Sequence, residues 1–317
     1  MDYWDAVRGK WPEDCAPLLG RDAPARDRLV IKRRWNPLPR RQTGMAITGM
    51  PGTGKSFLHQ ALRRRLEGDD PITPRESPNY EKDRFVTATD QGKRHIELVV
   101  VPGQKFSDPA ERTRERYFAN GRAPTGVVHV VSWGFSKIWD ENTQDVVRGI
   151  SGPLDPADPR AMPQLPEVVE QARAFTFQRE LDDLATTCTW LRGAWDASTG
   201  PLWLIIALTM PDLLLSRLVD GAAARRADEA TFAAVAAHYL PAAHPAHDSG
   251  FAAEVRALVN YAGENRFGTR IALMPVISYR LPFTFRGVSL PPLGGDDLRA
   301  RLMSRFSNRI GVYGDGG

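Results

Sequence analysis

Residues 44–66 read GMAITGMPGTGKSFLHQALRRRL, an apolar strand followed by a glycine-rich loop and a helix. The loop, Gly49 to Ser56, has the G-x-x-x-x-G-K-[ST] spacing of a phosphate-binding loop. Its glycines let successive backbone N–H groups point toward phosphate oxygens, and the positive end of the next helix dipole adds to the attraction. The pattern therefore predicts that the chain binds a nucleoside triphosphate.

Two side chains of the loop carry predicted chemistry of their own. Lys55 is expected to reach the outer phosphates, and Ser56 to give its hydroxyl to a magnesium ion. The other nucleotide contacts predicted in this stretch come from Gly49, Gly52, Thr53, Gly54 and Phe57.

Composition limits the class of protein. With 317 residues, 42% of them apolar, the chain can bury a sizeable core as one large domain. Lys and Arg (42) barely exceed Asp and Glu (38), so the charge balance does not by itself indicate nucleic acid, which we do not expect as a partner. Two cysteines cannot form a disulfide framework, which suits a cytoplasmic location. We also expect no secretory signal and no membrane span, because the longest apolar run is short and contains Pro211 and Asp212.

The chain divides into segments by pattern. Residues 1–43 are interpreted as an N-terminal extension whose basic run is a solvated linker. Residues 44–310 form the predicted domain, and residues 311–317 a flexible tail. Segments 139–165 and 217–247 are interpreted as insertions that offer surface for a partner protein or for self-association.

Hydrophobic periodicity places the secondary structure. Strands are predicted at 45–48, 85–89, 95–101, 126–132, 202–208 and 270–276. Helices are predicted at 55–65, 167–192, 249–261 and 296–309. The second and third strands are joined by so short a turn that they must be antiparallel. The prediction is an α/β fold, a three-layer P-loop NTPase with a six-stranded, mostly parallel sheet, and the nucleotide at the carboxyl ends of the strands.

A second motif follows the third strand. The strand ends in Pro102-Gly103-Gln104, a charged segment covers residues 111–118, and a Gly-Val strand begins at Gly126. This arrangement resembles the second switch of Ras-like small GTPases, and its Pro-Gly-Gln form is closest to the bacterial MglA-type GTPases. The resemblance implies that the Gly103 amide senses the γ-phosphate and that Gln104 orients the attacking water.

The segment after the fifth strand, Thr209-Met210-Pro211-Asp212, resembles the [NT]-K-x-D guanine-reading motif of the same family. The resemblance implies that Thr209 and Asp212 lie at the base, where the Asp212 carboxylate accepts hydrogen bonds from the guanine N1–H and amino group. Met210 takes the place of the family's lysine. Ser278, after the sixth strand, resembles the loop that touches the guanine carbonyl. The alternative is that Asp212 only caps the next helix.

The sequence departs from the family at the magnesium site and leaves two roles open. Val100 stands where Ras-like proteins have an aspartate, although MglA-type proteins lack that aspartate too. Thr73 and Ser77 are both candidates for the first-switch threonine. An arginine that stabilises transition-state charge is left unassigned among Arg84, Arg112, Arg114 and Arg116.

Three functions fit these motifs. The first is a GTPase switch that binds GTP or GDP with Mg2+, uses Lys55 and Gln104 in hydrolysis, and regulates a partner protein. The second is a degenerate GTP-binding interaction module with little hydrolysis. The third is an ATP-using P-loop ATPase or kinase, against which no predicted strand ends in the Asp-Glu pair of AAA+ ATPases.

Overall fold

A computed structural model describes about half of the predicted domain. The described residues are 42–67, 81–89, 92–101, 124–137, 161–197, 203–210, 271–278, 283–285, 288–290 and 296–314, with separate positions between 253 and 261. The strands are β1 (Gln42–Thr48), β2 (Glu81–Thr89), β3 (Gly92–Val100), β4 (Gly126–Val131), β5 (Trp203–Leu208), β6 (Ile271–Pro275), β7 (Phe283–Phe285) and β8 (Val288–Leu290). The helices described along their whole length are α1 (Lys55–Glu67), α2 (Ala161–Ala197) and α3 (Asp296–Gly314).

The main sheet has the strand order β2-β3-β1-β4-β5-β6. All neighbouring pairs are parallel except β2 and β3, which are antiparallel. The α/β class expected from the sequence is therefore confirmed. Strand β1 lies between β3 and β4, so the chain leaves β1 toward one edge and later builds the other edge from β4 onward. Ligands of such sheets bind outside the carboxyl ends of the strands at this reversal point.

One face of the sheet is covered by α1 and α3. Alternate residues along each strand point to the same face, so one set of apolar strand residues meets these two helices. The resulting core contains Met45, Ile47, Leu98, Val100, Val128, Val130, Ile205 and Ala272 of the sheet, Leu58 and Leu62 of α1, and Phe306 and Ile310 of α3.

The opposite face is also buried, and α2 packs there against β4. Ala46, Val127 and Leu204, which alternate with the first set, are 0% exposed. On α2, Leu184, Cys188 and Leu191 are buried at helical spacing, as expected for a core-facing stripe. The sheet therefore lies between helices on both faces.

Two helices are longer than their sequence pattern indicated. α2 begins at Ala161, ahead of the predicted start at Glu167. Pro163 is compatible with this start. Proline has no backbone N–H, and in the first turn of a helix an N–H would have no intrahelical acceptor. α3 continues to Gly314, so the segment expected to be a flexible tail from residue 311 is helical in part. The reason is packing, since Tyr313 is buried with its ring centroid 6.0 Å from that of Trp203.

Two strand features also differ from the prediction. β2 begins at Glu81 instead of Phe85, because it pairs with β3 along its whole length, from Glu81 opposite Val100 to Thr89 opposite Gly92. Strands β7 and β8 form a separate antiparallel hairpin that the sequence reasoning missed. Its signal was an alternating pattern on both sides of Arg286-Gly287.

Candidate nucleotide-binding site

The glycine-rich loop bends as the sequence pattern requires. It joins β1, which ends at Thr48, to α1. Gly49, Gly52 and Gly54 have φ angles of 133°, 80° and 88°. Residues that carry a side chain rarely adopt these backbone angles, so the shape of the loop requires glycine at these three positions.

The loop also lies directly against the adjacent strand β4. A Cβ atom added to Gly49 would come within 2.4 Å of the Val130 carbonyl oxygen. No side chain fits in that space. The first glycine therefore serves both the bend of the loop and its close approach to the sheet.

Lys55 folds back over the loop that precedes it. Its Nζ donates hydrogen bonds to the carbonyl oxygens of Gly49, at 2.8 Å, and Met50, at 2.6 Å. The residue is only 8% exposed. These bonds hold the ammonium group in the concave side of the loop, where an incoming phosphate would meet it.

Burial changes the acidity of this lysine. Desolvation lowers the pKa of Lys55 from 10.5 to about 8, although the nearby charges of Asp183 and Glu180 partly oppose the shift. A bound phosphate would add further negative charge beside the buried ammonium, so its binding should stabilise the charged form.

Thr53 closes the loop from within. Its Oγ1 donates to the Met50 carbonyl oxygen at 2.9 Å, and its backbone N–H donates to the same oxygen at 3.4 Å. The side chain is fully buried. Its hydroxyl therefore stabilises the turn.

Thr209, at the carboxyl end of β5, connects the loop to the sheet. Its Oγ1 donates to the Thr53 carbonyl oxygen at 2.6 Å and to the Val131 carbonyl oxygen at 3.2 Å. Its backbone N–H also donates to Val131 O, at 3.0 Å. The side-chain contacts described for this residue are thus with the protein backbone, beneath the loop.

The segment after β4 has an unusual backbone. Trp133 has φ 55° and Gly134 has φ 87°. A positive φ is uncommon for a residue with a bulky side chain and persists only when the surroundings impose it. The fully buried Trp133 side chain is consistent with such a constraint.

Three residues of α2 hold this segment, and we call the arrangement the clasp. Glu180 accepts hydrogen bonds from the Ser132 backbone N–H, at 2.9 Å, and from the Ser132 hydroxyl. Thr176 Oγ1 donates to the Gly134 carbonyl oxygen. Arg173 donates to the Trp133 carbonyl oxygen at 2.9 Å. The clasp therefore comprises Ser132, Trp133, Gly134, Arg173, Thr176 and Glu180.

The clasp is tightly packed and carries a buried acid. A Cβ atom on Gly134 would lie 2.6 Å from the Arg173 carbonyl oxygen. Glu180 is 3% exposed, and desolvation raises its pKa above the ordinary value, while the hydrogen bonds from Ser132 act in the opposite direction. Asp183, one turn further along α2, is buried as well.

Sequence reasoning missed these acids, although a signal was present. It followed the apolar residues of α2 and treated the helix as a core face. Glu180 and Asp183 lie on the same side as Leu184, since residues three and four apart share a helix face. Charged residues on a buried helix face require polar partners. That requirement pointed to a polar contact between α2 and the sheet, which the structure shows at Ser132, directly after β4.

A second polar contact lies next to the loop. Thr48 and His129 are paired across β1 and β4, and Thr48 Oγ1 and His129 Nδ1 share a hydrogen bond of 2.9 Å. Both residues are buried. Because Gly49 follows Thr48 directly, this bond fixes the point at which the chain enters the loop.

The structure brings part of the predicted site together. The described members of the phosphate loop are continuous with α1, where Ser56 and Phe57 are half-buried in the first turn. Ser278 is half-buried after β6, at the carboxyl end of the parallel strands, where the phosphate loop also lies. Gly103, Gln104 and Asp212 lie outside the described residues, as do Thr73, Ser77, Arg112, Arg114 and Arg116.

The described residues fit a magnesium ion only as part of a nucleotide complex. Across these ranges, no group of three or more His, Cys, Asp or Glu residues could hold a metal ion. Mg2+ usually combines one or two protein oxygens with phosphates and water. Ser56, half-buried in the first turn of α1 and directly after Lys55, would supply such an oxygen.

Comparison with known proteins finds similarity only among solved structures. No protein-family model and no curated protein sequence matches the chain. The structure titled "The Structure of the Mammalian SRP Receptor" is similar at 12% identity and a TM-score of 0.41, over 84% of this chain and 99% of that chain. Within the helices that the structure describes, none is long and apolar enough to cross a bilayer. Because that similarity is low, the fit to a P-loop fold rests on the parallel sheet and on the loop between β1 and α1.

Proposed function

We propose that the chain binds GTP with Mg2+ and hydrolyses its γ-phosphate, as a molecular switch of the Ras-like type. The observation that carries this proposal is the phosphate loop, with three glycines at positive φ and the buried Lys55 ammonium in its concavity. Backbone amides and a lysine arranged in this way recognise triphosphates. Hydrolysis of GTP needs mainly positioning and charge stabilisation, which such a loop supplies.

The chain's own residues would divide the work. Lys55 binds the outer phosphates, Gln104 orients the attacking water, and the Gly103 amide senses the γ-phosphate. Magnesium, held by Ser56 and phosphate oxygens, would neutralise charge on the triphosphate. Asp212, three residues after Thr209, accepts the guanine N1–H and amino hydrogens, while Ser278 lies near the guanine carbonyl. Support for this placement comes from Thr209, which connects the end of β5 to the loop.

Guanine recognition is tested by exchanging the hydrogen-bonding pattern. We expect wild-type protein to bind GTP and GDP in preference to ATP in equilibrium titrations with magnesium. An amide at position 212 donates where a carboxylate accepts, so Asp212→Asn should lose GTP and gain xanthosine triphosphate, whose ring carries an oxygen in place of the amino group. Preference for ATP would instead support the ATP-using enzyme. Unchanged GTP binding by Asp212→Asn would support the reading of Asp212 as a helix cap.

A second candidate is a GTP-binding interaction module that hydrolyses little. The observation that favours it is Val100, buried at the end of β3, where an aspartate would otherwise contact magnesium through water. Turnover by purified protein, and its loss in Gln104→Ala with GTP affinity retained, would support the switch. Binding without turnover would support the module.

The regulatory role belongs to the same proposal. Segments 68–80 and 102–118 would reorder around the γ-phosphate and change the affinity for a partner protein. The insertions 139–165 and 217–247 would enlarge the partner surface or support self-association. We propose a cytoplasmic location and, from the Pro-Gly-Gln motif, a bacterial relative of the MglA type.

A further inference from the structure

A continuous chain of contacts runs from α2 to the phosphate loop. Glu180 accepts the Ser132 backbone N–H at 2.9 Å. The preceding carbonyl, that of Val131, accepts both the N–H and the hydroxyl of Thr209, at 3.0 and 3.2 Å. The same hydroxyl donates to the Thr53 carbonyl oxygen at 2.6 Å. Four hydrogen bonds and one peptide unit thus connect a buried carboxylate to the backbone of the loop.

The backbone that follows Ser132 has an unusual conformation, and residues of α2 bind it at several points. Trp133 has φ 55° and is followed by Gly134 at φ 87°. Arg173 and Thr176 bind the carbonyl oxygens of these two residues, while Glu180 binds the residue before them. Successive turns of α2 therefore bind backbone groups of three consecutive residues, Ser132, Trp133 and Gly134, at the carboxyl end of β4.

Resting on the proposed nucleotide-binding function, we propose that Glu180 is a positioning residue for the phosphate loop. By holding Ser132, it fixes the end of β4, and through Val131 and Thr209 it keeps the loop in the geometry that binds phosphate. Glu180 itself contacts neither the loop nor Lys55 within the described hydrogen bonds. Its effect on nucleotide affinity is indirect.

If Glu180 acted only through its charge, removing it would change nucleotide affinity in the opposite direction. Glu180 is close enough to influence the charge of Lys55, so its negative charge would also repel a phosphate held there. If charge were its main effect, Glu180→Ala would tighten nucleotide binding and Ser132→Ala, which changes no charge, would leave it unaltered. If Glu180 positions the loop, both variants weaken binding.

The experiment measures the dissociation constant of a fluorescent GTP analogue with magnesium in folded, full-length protein. Glu180→Ala leaves the buried Ser132 N–H without an acceptor and should weaken binding by about tenfold. Ser132→Ala keeps that N–H bond and should weaken binding by about threefold. Glu180→Gln retains a side-chain oxygen for Ser132 N–H and should restore most of the affinity.

The matched control is Asp182→Asn, which removes a carboxylate charge from the same helix. Asp182 is exposed, and its carboxylate accepts a hydrogen bond from Gln178. Its removal should leave the dissociation constant unchanged. Thermal melts of each variant identify the temperature range in which all of them are folded. If Glu180→Ala does not fold, Ser132→Ala and Glu180→Gln still carry the comparison.

A double-mutant cycle tests the route. Thr209→Val removes the hydroxyl that bonds to Val131 and Thr53 while keeping the side-chain shape. If Glu180 acts through Thr209, the loss of affinity in the Glu180→Ala, Thr209→Val double variant is smaller than the product of the two single losses. Independent, multiplying effects would overturn the proposed route.

Two further outcomes separate failure of this inference from failure of the function. Wild-type protein that binds nucleotide, with Glu180→Ala and Ser132→Ala folded and equally tight or tighter, overturns the positioning role alone. Lower thermal stability with unchanged affinity does the same, since it marks a merely structural contact. Wild-type protein that binds no nucleoside triphosphate overturns the proposed function and this inference together.

Discussion

At the scale of single residues, the site combines sequence-local and sequence-distant contributions. Lys55 reaches Gly49 and Met50 of its own loop. Thr209 reaches the same loop from 156 positions away in the sequence. The first kind of contact follows from a short motif, whereas the second depends on the order of strands in the sheet. A single substitution can therefore act on the loop from either source.

The acidity of Lys55 yields a prediction with two opposite pH trends. Because burial lowers its pKa from 10.5 to about 8, the unfolded chain binds more protons than the folded chain between these values. The contribution of Lys55 to the free energy of unfolding should therefore rise with pH across this window. Nucleotide affinity should instead fall above pH 8, by up to about tenfold per pH unit, because phosphate must recruit a proton to the lysine.

The check is a pair of titrations from pH 7 to pH 10, one of denaturant unfolding and one of GTP binding. Lys55→Ala provides the reference for unfolding, since the difference between wild type and variant isolates this group from other alkaline titrations. Nucleotide affinity that is flat between pH 7 and pH 9.5 would contradict the assignment of a buried, phosphate-binding ammonium.

At the scale of elements, β4 and β5 meet through a contact that the sequence conceals. Gly126 and Trp203 are directly paired in register at the start of these strands. A Cβ atom on Gly126 would lie 1.8 Å from the Trp203 ring, which is buried against the adjacent strand. The glycine of this Gly-Val strand is therefore required by the indole beside it.

Gly126→Ala should destabilise the protein, because the indole must move within a close-packed core. We expect a loss of about 1–3 kcal/mol in the free energy of unfolding, measured by urea denaturation. Gly193→Ala is the matched control, since that glycine is exposed on α2 with nothing within 4 Å of an added Cβ. It should stabilise the helix by up to about 1 kcal/mol. Equal effects of the two substitutions would refute the steric account.

Contacts between elements also show what sequence patterns can and cannot predict. The phosphate loop was predictable because its glycines, lysine and serine are neighbours in the sequence, and the local backbone alone requires them. The clasp was not, because Glu180 and Ser132 are 48 positions apart and meet only after α2 has packed on the sheet. The φ of 55° at Trp133 gives no sequence signal, since a tryptophan does not indicate a left-handed conformation.

Helix ends illustrate a related limit. The sequence predicted that α3 ends near Arg309, because the glycine-rich end of the chain was expected to be frayed. The helix instead reaches Gly314 because Tyr313 packs against Trp203, a residue of another strand. Tertiary packing thus extends an element beyond the point at which its own sequence favours it.

At the scale of the whole molecule, the candidate site is assembled from the ends of several strands of one sheet. The loop follows β1, Val130 of β4 lies beneath Gly49, and Thr209 of β5 holds Thr53. β3 joins through the Val101 N–H, which donates to the Ile47 carbonyl oxygen at 2.9 Å. Because these strands converge only in the folded chain, a ligand of this site binds the folded state and not the unfolded one.

Nucleotide should therefore raise the thermal stability of the entire sheet. A ligand at one hundred times its dissociation constant adds about 2.7 kcal/mol, which corresponds to a melting temperature higher by several degrees. We expect GTP with magnesium to produce this shift in wild-type protein and to produce little or none in Lys55→Ala.

Amide hydrogen exchange should then locate the stabilising effect of the nucleotide within the structure. Added protection is expected at the carboxyl ends of β1, β4 and β5 and along the clasp, because these backbone groups are joined by hydrogen bonds. The separate β7–β8 hairpin should show little change, since it belongs to another sheet. Protection confined to the loop, without the clasp, would mean that α2 is not coupled to the site.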